Sequence, residues 1–78
     1  MNYTIYTGEN DRILISLDLN GNRYSVSAWD KAKHKTDSST SAGTREDALV
    51  LFGMYKQRYG IQSIHHVEHD LSDFANIS

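Results

Sequence analysis

Apolar and polar residues alternate along Arg12–Leu19 and again along Asn22–Trp29, with Asn20-Gly21 between the two runs. Asn-Gly flanked by alternating stretches is the strongest short-range hairpin signal, because both residues tolerate the positive φ of a type I′ turn. With Asn20-Gly21 as the loop, Leu19 faces Asn22, Leu17 faces Tyr24, Ile15 faces Val26 and Ile13 faces Ala28. The other side then pairs Asp18 with Arg23, Ser16 with Ser25, Leu14 with Ser27 and Arg12 with Trp29. A one-residue slip would mix the two faces, so the pattern specifies which residues are buried. Residues 2–7, rich in aromatic and β-branched types, predict a further strand with Tyr3 and Ile5 on one side and Thr4 and Tyr6 on the other. Gly8-Glu9-Asn10-Asp11 reads as the turn that follows it.

The periodicity then changes. Ala48, Leu51, Phe52, Tyr55 and Tyr59 recur at spacings of three and four, which predicts one apolar stripe on a helix over 44–59. Thr44 caps its start with Asp47 at the fourth position, and Gly60 is the left-handed terminator. Glu46 and Asp47 suit the positive end of the helix, and Lys56 and Arg58 the negative end. Val50 and Met54 fall outside the stripe, awaiting either the C-terminal residues Leu71, Phe74 and Ile77 or a partner. Ile61–Val67 reads as a strand, and residues 70–77 as a short helical turn. Residues 36–43 hold no large apolar side chain to repay their ordering entropy, so a mobile loop is expected there.

These elements define a single α+β domain over 1–78: an antiparallel sheet of three to four strands in the order βββαβ, with the helix on one face. The expected core is Ile5, Ile13, Ile15, Leu17, Tyr24, Val26, Ala48, Leu51, Phe52 and Tyr55. A chain of 78 residues buries only about 60% of its unfolded surface. It has no cysteine, so neither a disulfide nor a thiolate zinc site staples it. Small unstapled chains often gain stability from a partner or from self-association, which admits a homodimer.

Charge and motif add little chemistry. The formal net charge is −2, against a general nucleic-acid binder. No run approaches the roughly 18 apolar residues of a membrane span, and the N-terminal residues lack a signal-peptide pattern, so a cytoplasmic protein is expected. His65, His66 and His69 form the one cluster of metal-ligand types, but a structural zinc site needs four ligands with support, and no metal or other cofactor is expected. No nucleophile motif or phosphate-binding glycine loop is present, and no catalytic residue is assigned.

Tyr6, Arg12, Trp29, Lys31, Lys33 and Lys35 are the residues that no core or turn argument consumes. Tyr6, Arg12 and Trp29 are expected on the sheet face opposite the helix, with the lysines continuing from the adjoining strand end. Trp, Tyr and Arg dominate binding energy at protein interfaces. The same residues offer a second reading, phosphate contact by Lys31–Lys35 with stacking on Trp29 and Tyr6. Arg12 over Trp29 also has a purely structural explanation as a cation–π pair.

The layout of strands, polar linker, helix Thr44-Arg45-Glu46-Asp47-Ala48-Leu49 and strand after Tyr59-Gly60-Ile61 resembles small α+β proteins of phages and mobile elements, the anti-CRISPR proteins among them. The resemblance implies a non-enzymatic inhibitor that blocks a host protein or nucleoprotein complex stoichiometrically. It carries over no catalytic residues.

Overall fold

The computed structural model describes residues 2–67. Four strands precede the helix and one follows: β1 Asn2–Glu9, β2 Ile13–Asn20, β3 Arg23–Asp30, β4 Lys35–Ala42, α1 Arg45–Tyr59 and β5 Ser63–His66. All neighbours in the sheet are antiparallel, in the order β4-β3-β2-β1-β5. The helix packs on one face against β2, β3 and β4. The α+β class and the helix-on-sheet arrangement are as the sequence predicts, with five strands in place of three or four. The helical turn expected at 70–77 lies outside the described residues.

The β2–β3 hairpin closes one residue later than expected. Gly21-Asn22 is the loop, and the pairing runs Asn20↔Arg23, Leu19↔Tyr24, Leu17↔Val26, Ile15↔Ala28 and Ile13↔Asp30. Gly21 has φ +64°, while Asn22 does not enter the positive-φ region. Positive φ at the first central position alone is the signature of a type II′ turn, not I′. Each partner is displaced by two positions, an even number, so the faces survive: Ile13, Ile15 and Leu17 remain on the buried side.

The segment 36–43, expected as a mobile loop, is instead edge strand β4. Its backbone pairs with β3 from Lys35 to Ala42, with a bulge at Asp37. Side chains supply what burial does not. Thr40 Oγ1 lies 2.9 Å from the Tyr55 hydroxyl, and Ser38 Oγ 2.9 Å from that of Tyr59, tying the polar strand to the helix.

The core joins Ile5, Ile13, Ile15, Leu17, Val26 and Ala28 of the sheet to Ala48, Phe52 and Tyr55 of the helix. Tyr24 and Leu51, expected inside, are only half-buried against it, while Ala28, Ala42 and Ile61 join it. At the helix start Thr44 Oγ1 accepts from the Asp47 N–H at 3.2 Å. At its end Gly60 adopts φ +66°, and the N–H groups of Gly60 and Ile61 return to the carbonyls of Gln57 and Lys56. This pair of hydrogen bonds is the Schellman arrangement, and it delivers Ile61 into the core.

Gly8 lies within β1, not in the turn expected at 8–11, and it has a packing reason. A Cβ there would stand 2.5 Å from Ile64 Cδ1 and 3.2 Å from the Ser63 carbonyl oxygen. With a Cβ there, Ile64 would have to turn aside and the Ser63 carbonyl and Ile61 would have to give by a few tenths of an ångström, so glycine suits the close approach of β5 to β1.

Candidate protein-binding face

The helix leaves the second face of the sheet uncovered among the described residues. Successive strands present Thr4 and Thr7, Leu14, Ser16 and Asp18, Arg23, Ser25, Ser27 and Trp29, and Thr36, Ser39 and Ser41 on that side. Much of the polar part is satisfied internally. Asp18 Oδ1 accepts from Thr4 Oγ1 at 2.6 Å and Asp18 Oδ2 from Ser16 Oγ at 3.2 Å, and Ser16 meets Ser27 at 3.2 Å. Trp29 sits between Leu14 of β2 and Thr36 of β4 and is 40% exposed. It is the one large aromatic side chain that the pairing places on this face within the described residues.

The six candidate residues do not gather into one surface. Tyr6 lies on the helix side, in correction of its expected position. The bulge at Ile5 inserts an extra residue between Thr4↔Asp18 and Tyr6↔Leu17, so alternation restarts and Ile5 and Tyr6 both turn inward. The Tyr6 ring is 5.8 Å from that of Phe52 and stacks on His66 at 4.6 Å.

Arg12 does not cover Trp29 either. It precedes β2, and its Nε and Nη2 both donate to Asp30 Oδ2 at 3.3 Å. Asp30 is 2% exposed, and its Oδ1 accepts from the N–H groups of Ala32 and Lys33. The Lys33 N–H first, then Arg12, hold its carboxyl below the ordinary carboxylate range against the opposing effect of burial. Asp30 therefore organises the β3–β4 turn, which closes through His34 at φ +55°.

Lys31 is likewise engaged. Its Nζ donates to Glu9 Oε2 at 2.5 Å and to the Asn10 carbonyl at 2.9 Å, tying this turn to the end of β1. The hydrogen bond and charge of Lys31 lower the Glu9 pKa. Lys33 and Lys35 are exposed at the same end of the sheet as Trp29 but not on its face: Lys35 pairs with Asp30 on the helix side, and Lys33 lines a cleft with Ile13 and Tyr59. Of the candidate set only Trp29 lies on the uncovered face, while Lys33 and Lys35 stay exposed at the strand end beside it without sharing that face.

Asp30, Asp37 and Tyr59, none of them anticipated, line a cleft of about 240 Å³ with Arg12, Ile13 and Lys33. Its charges neutralise one another, and its volume lies below the usual range of ligand pockets, roughly 300–1,000 Å³. The sequence signal for Asp30 was an Asp preceding the polar turn 31–34, where an Asx-type bond is common. His65 and His66 point to opposite sides of β5, and no group of three metal-ligand residues forms among the described residues. His69 lies outside them.

No protein-family model matches this chain, and neither the curated proteins nor the solved structures contain a match to it.

Proposed function

We propose that this chain is a non-enzymatic protein-binding module whose contact surface is the uncovered sheet face around Trp29, extended past the end of the sheet by the exposed Lys33 and Lys35 of the β3–β4 turn region. The observation that carries this reading is the exposure of Trp29 beside Leu14 on a face on which most other residues are serines and threonines. Solubility alone favours smaller polar side chains there, whereas a half-exposed Trp beside Leu14 supplies the kind of anchor that dominates interfaces. The anti-CRISPR-like layout extends the proposal to its class: stoichiometric blockade of a host protein or nucleoprotein complex.

Retention of a host complex in a pull-down, followed by affinity measurements, tests the reading. Trp29→Ala combined with Lys33→Glu and Lys35→Glu is expected to weaken binding while the melting temperature stays near wild type. Undiminished binding by the folded triple variant would refute it. Steep salt dependence with a labelled oligonucleotide would favour nucleic-acid contact instead. The engagement of Lys31 by Glu9 shortens the basic footprint that this alternative needs.

A further inference from the structure

We propose that the chain forms a two-fold dimer through the edge of β4 and the side of the helix above it. Two independent observations meet at this edge. The first is that Ser38–Ala42 of β4 carry no charge and no proline, whereas soluble proteins usually blunt an edge strand with Lys, Pro or a bulge. Lys35 and the bulged Asp37 protect only the first part of the strand.

The second observation is the pattern on the helix. Phe52 reaches Tyr6 of β1, while Tyr55 and Tyr59 reach Thr40 and Ser38 of β4, which fixes the side of α1 that overhangs the edge. At 100° per residue, Asp47, Leu51, Met54 and Arg58 fall in one strip on that side, with Val50 beside it. Met54 is 59% and Val50 64% exposed.

That strip is complementary to itself when antiparallel. A two-fold axis between Phe52 and Gly53 places Asp47 opposite Arg58 of the second copy and Leu51 opposite Met54. The same axis serves the strand. Helical side chains lean toward the N-terminus, so the Tyr55 hydroxyl at Thr40 marks the level of the helix midpoint. An axis through Thr40 pairs Ser39 with Ser41, and Ser38 with Ala42, confining the contact to the uncharged part of the edge.

Strand spacing sets the proportions. Because α1 packs over β2, β3 and β4, the two helix axes stand about 14 Å apart, three strand spacings. This exceeds the 8–10 Å of direct helix packing. Strand pairing therefore carries the interface, and the long Met54 and Arg58 side chains bridge the seam above it. With the axis perpendicular to the sheet, both Trp29 faces point the same way, so the dimer presents the proposed contact surface twice.

Sedimentation equilibrium of the full chain from micromolar to millimolar concentration tests this, with circular dichroism as the check on folding. The wild type is expected to show a reversible monomer–dimer equilibrium. Ser39→Lys with Ser41→Lys places like charges opposite each other and is expected to raise the dissociation constant at least about tenfold. Asp47→Arg and Arg58→Asp are each expected to weaken the dimer, and their combination to restore it. A wild type that stays monomeric throughout overturns the proposal and leaves Val50 and Met54 to residues 68–78 or to an unlike partner. A dimer indifferent to the Ser39 and Ser41 substitutions overturns it as well. A double charge reversal no tighter than the single variants removes the helix seam from it.

Discussion

Tyr59, in the last turn of the helix, donates its hydroxyl hydrogen to Asp37 Oδ2 at 2.5 Å, across to the bulge of the edge strand. With Tyr59 donating there, the Ser38 hydroxyl 2.9 Å away is its donor, so one phenol holds two successive residues of β4. Tyr59→Phe removes both bonds and keeps the ring packing. The expected cost is about 1 kcal/mol, and faster amide exchange should be confined to β4. Unchanged exchange in β4 would show that its pairing with β3 suffices to hold it.

The same phenol makes stability depend on alkaline pH. Burial first, and then Asp37, raise the Tyr59 pKa above its ordinary value. The fold thus favours the neutral form, and the stabilisation is complete below the unfolded-state pKa of about 10. It is lost as pH rises from there through the higher folded-state value. Melting curves above pH 10 should therefore fall more steeply for wild type than for Tyr59→Phe. Parallel curves would remove the linkage.

Asp30 has the opposite sign. Its folded-state pKa is depressed by the Lys33 N–H and by Arg12, so its contribution is present above the ordinary carboxylate range and lost as pH falls through the lower folded value. Asp30→Asn keeps an oxygen for the turn amides but loses the pairing with Arg12. Its melting temperature should lie below wild type at neutral pH, and the gap should narrow in acid. A gap of constant size from neutral pH into acid would mean that shape, not charge, makes Asp30 important.

These two residues also show where sequence reading stopped. The faces of β2 and β3 were legible because alternation records burial, yet their exact partners were not. Moving the loop from Asn20-Gly21 to Gly21-Asn22 displaces each partner by two and leaves every face intact, so the apolar pattern is blind to it. The inward turn of Tyr6 depends on one bulge at Ile5, which no local composition announces. Strand β4 was missed because an edge strand of Ser and Thr has little burial to record; two tyrosines distant in sequence tie it to the helix. In the candidate site, Trp29 was legible as an outward-facing aromatic. Arg12 and Lys31 were not legible as engaged side chains, since Asp30 and Glu9 lie 18 and 22 positions away. The helix was legible end to end because its caps are local chemistry.

Helix burial gives a sharper contrast. Phe52 is buried against Tyr6 and the sheet, whereas Val50 projects to the outside. Phe52→Ala is expected to cost about 3–5 kcal/mol, a large share of the stability of so small a domain. Val50→Ser should stay within about 0.5 kcal/mol when melted at concentrations low enough for the monomer. Equal losses would mean that the outer side of the helix is enclosed by another part of the chain.

Gly21 tests the hairpin itself. Its φ of +64° is the left-handed region, and a Cβ there would meet nothing within 4 Å, so the cost of substitution is conformational and involves no clash. Gly21→Val is expected to destabilise the protein by roughly 1–2 kcal/mol, because a β-branched residue resists this backbone conformation. The Asn2 side chain, whose Oδ1 accepts from the Gly21 N–H at 3.1 Å, adds a second constraint on the same residue. A type II′ turn makes no such demand on the second central position, so Asn22→Ala should be nearly neutral. Denaturant unfolding of the two variants separates the turn types: comparable losses at both positions would indicate positive φ at both, and hence a type I′ turn.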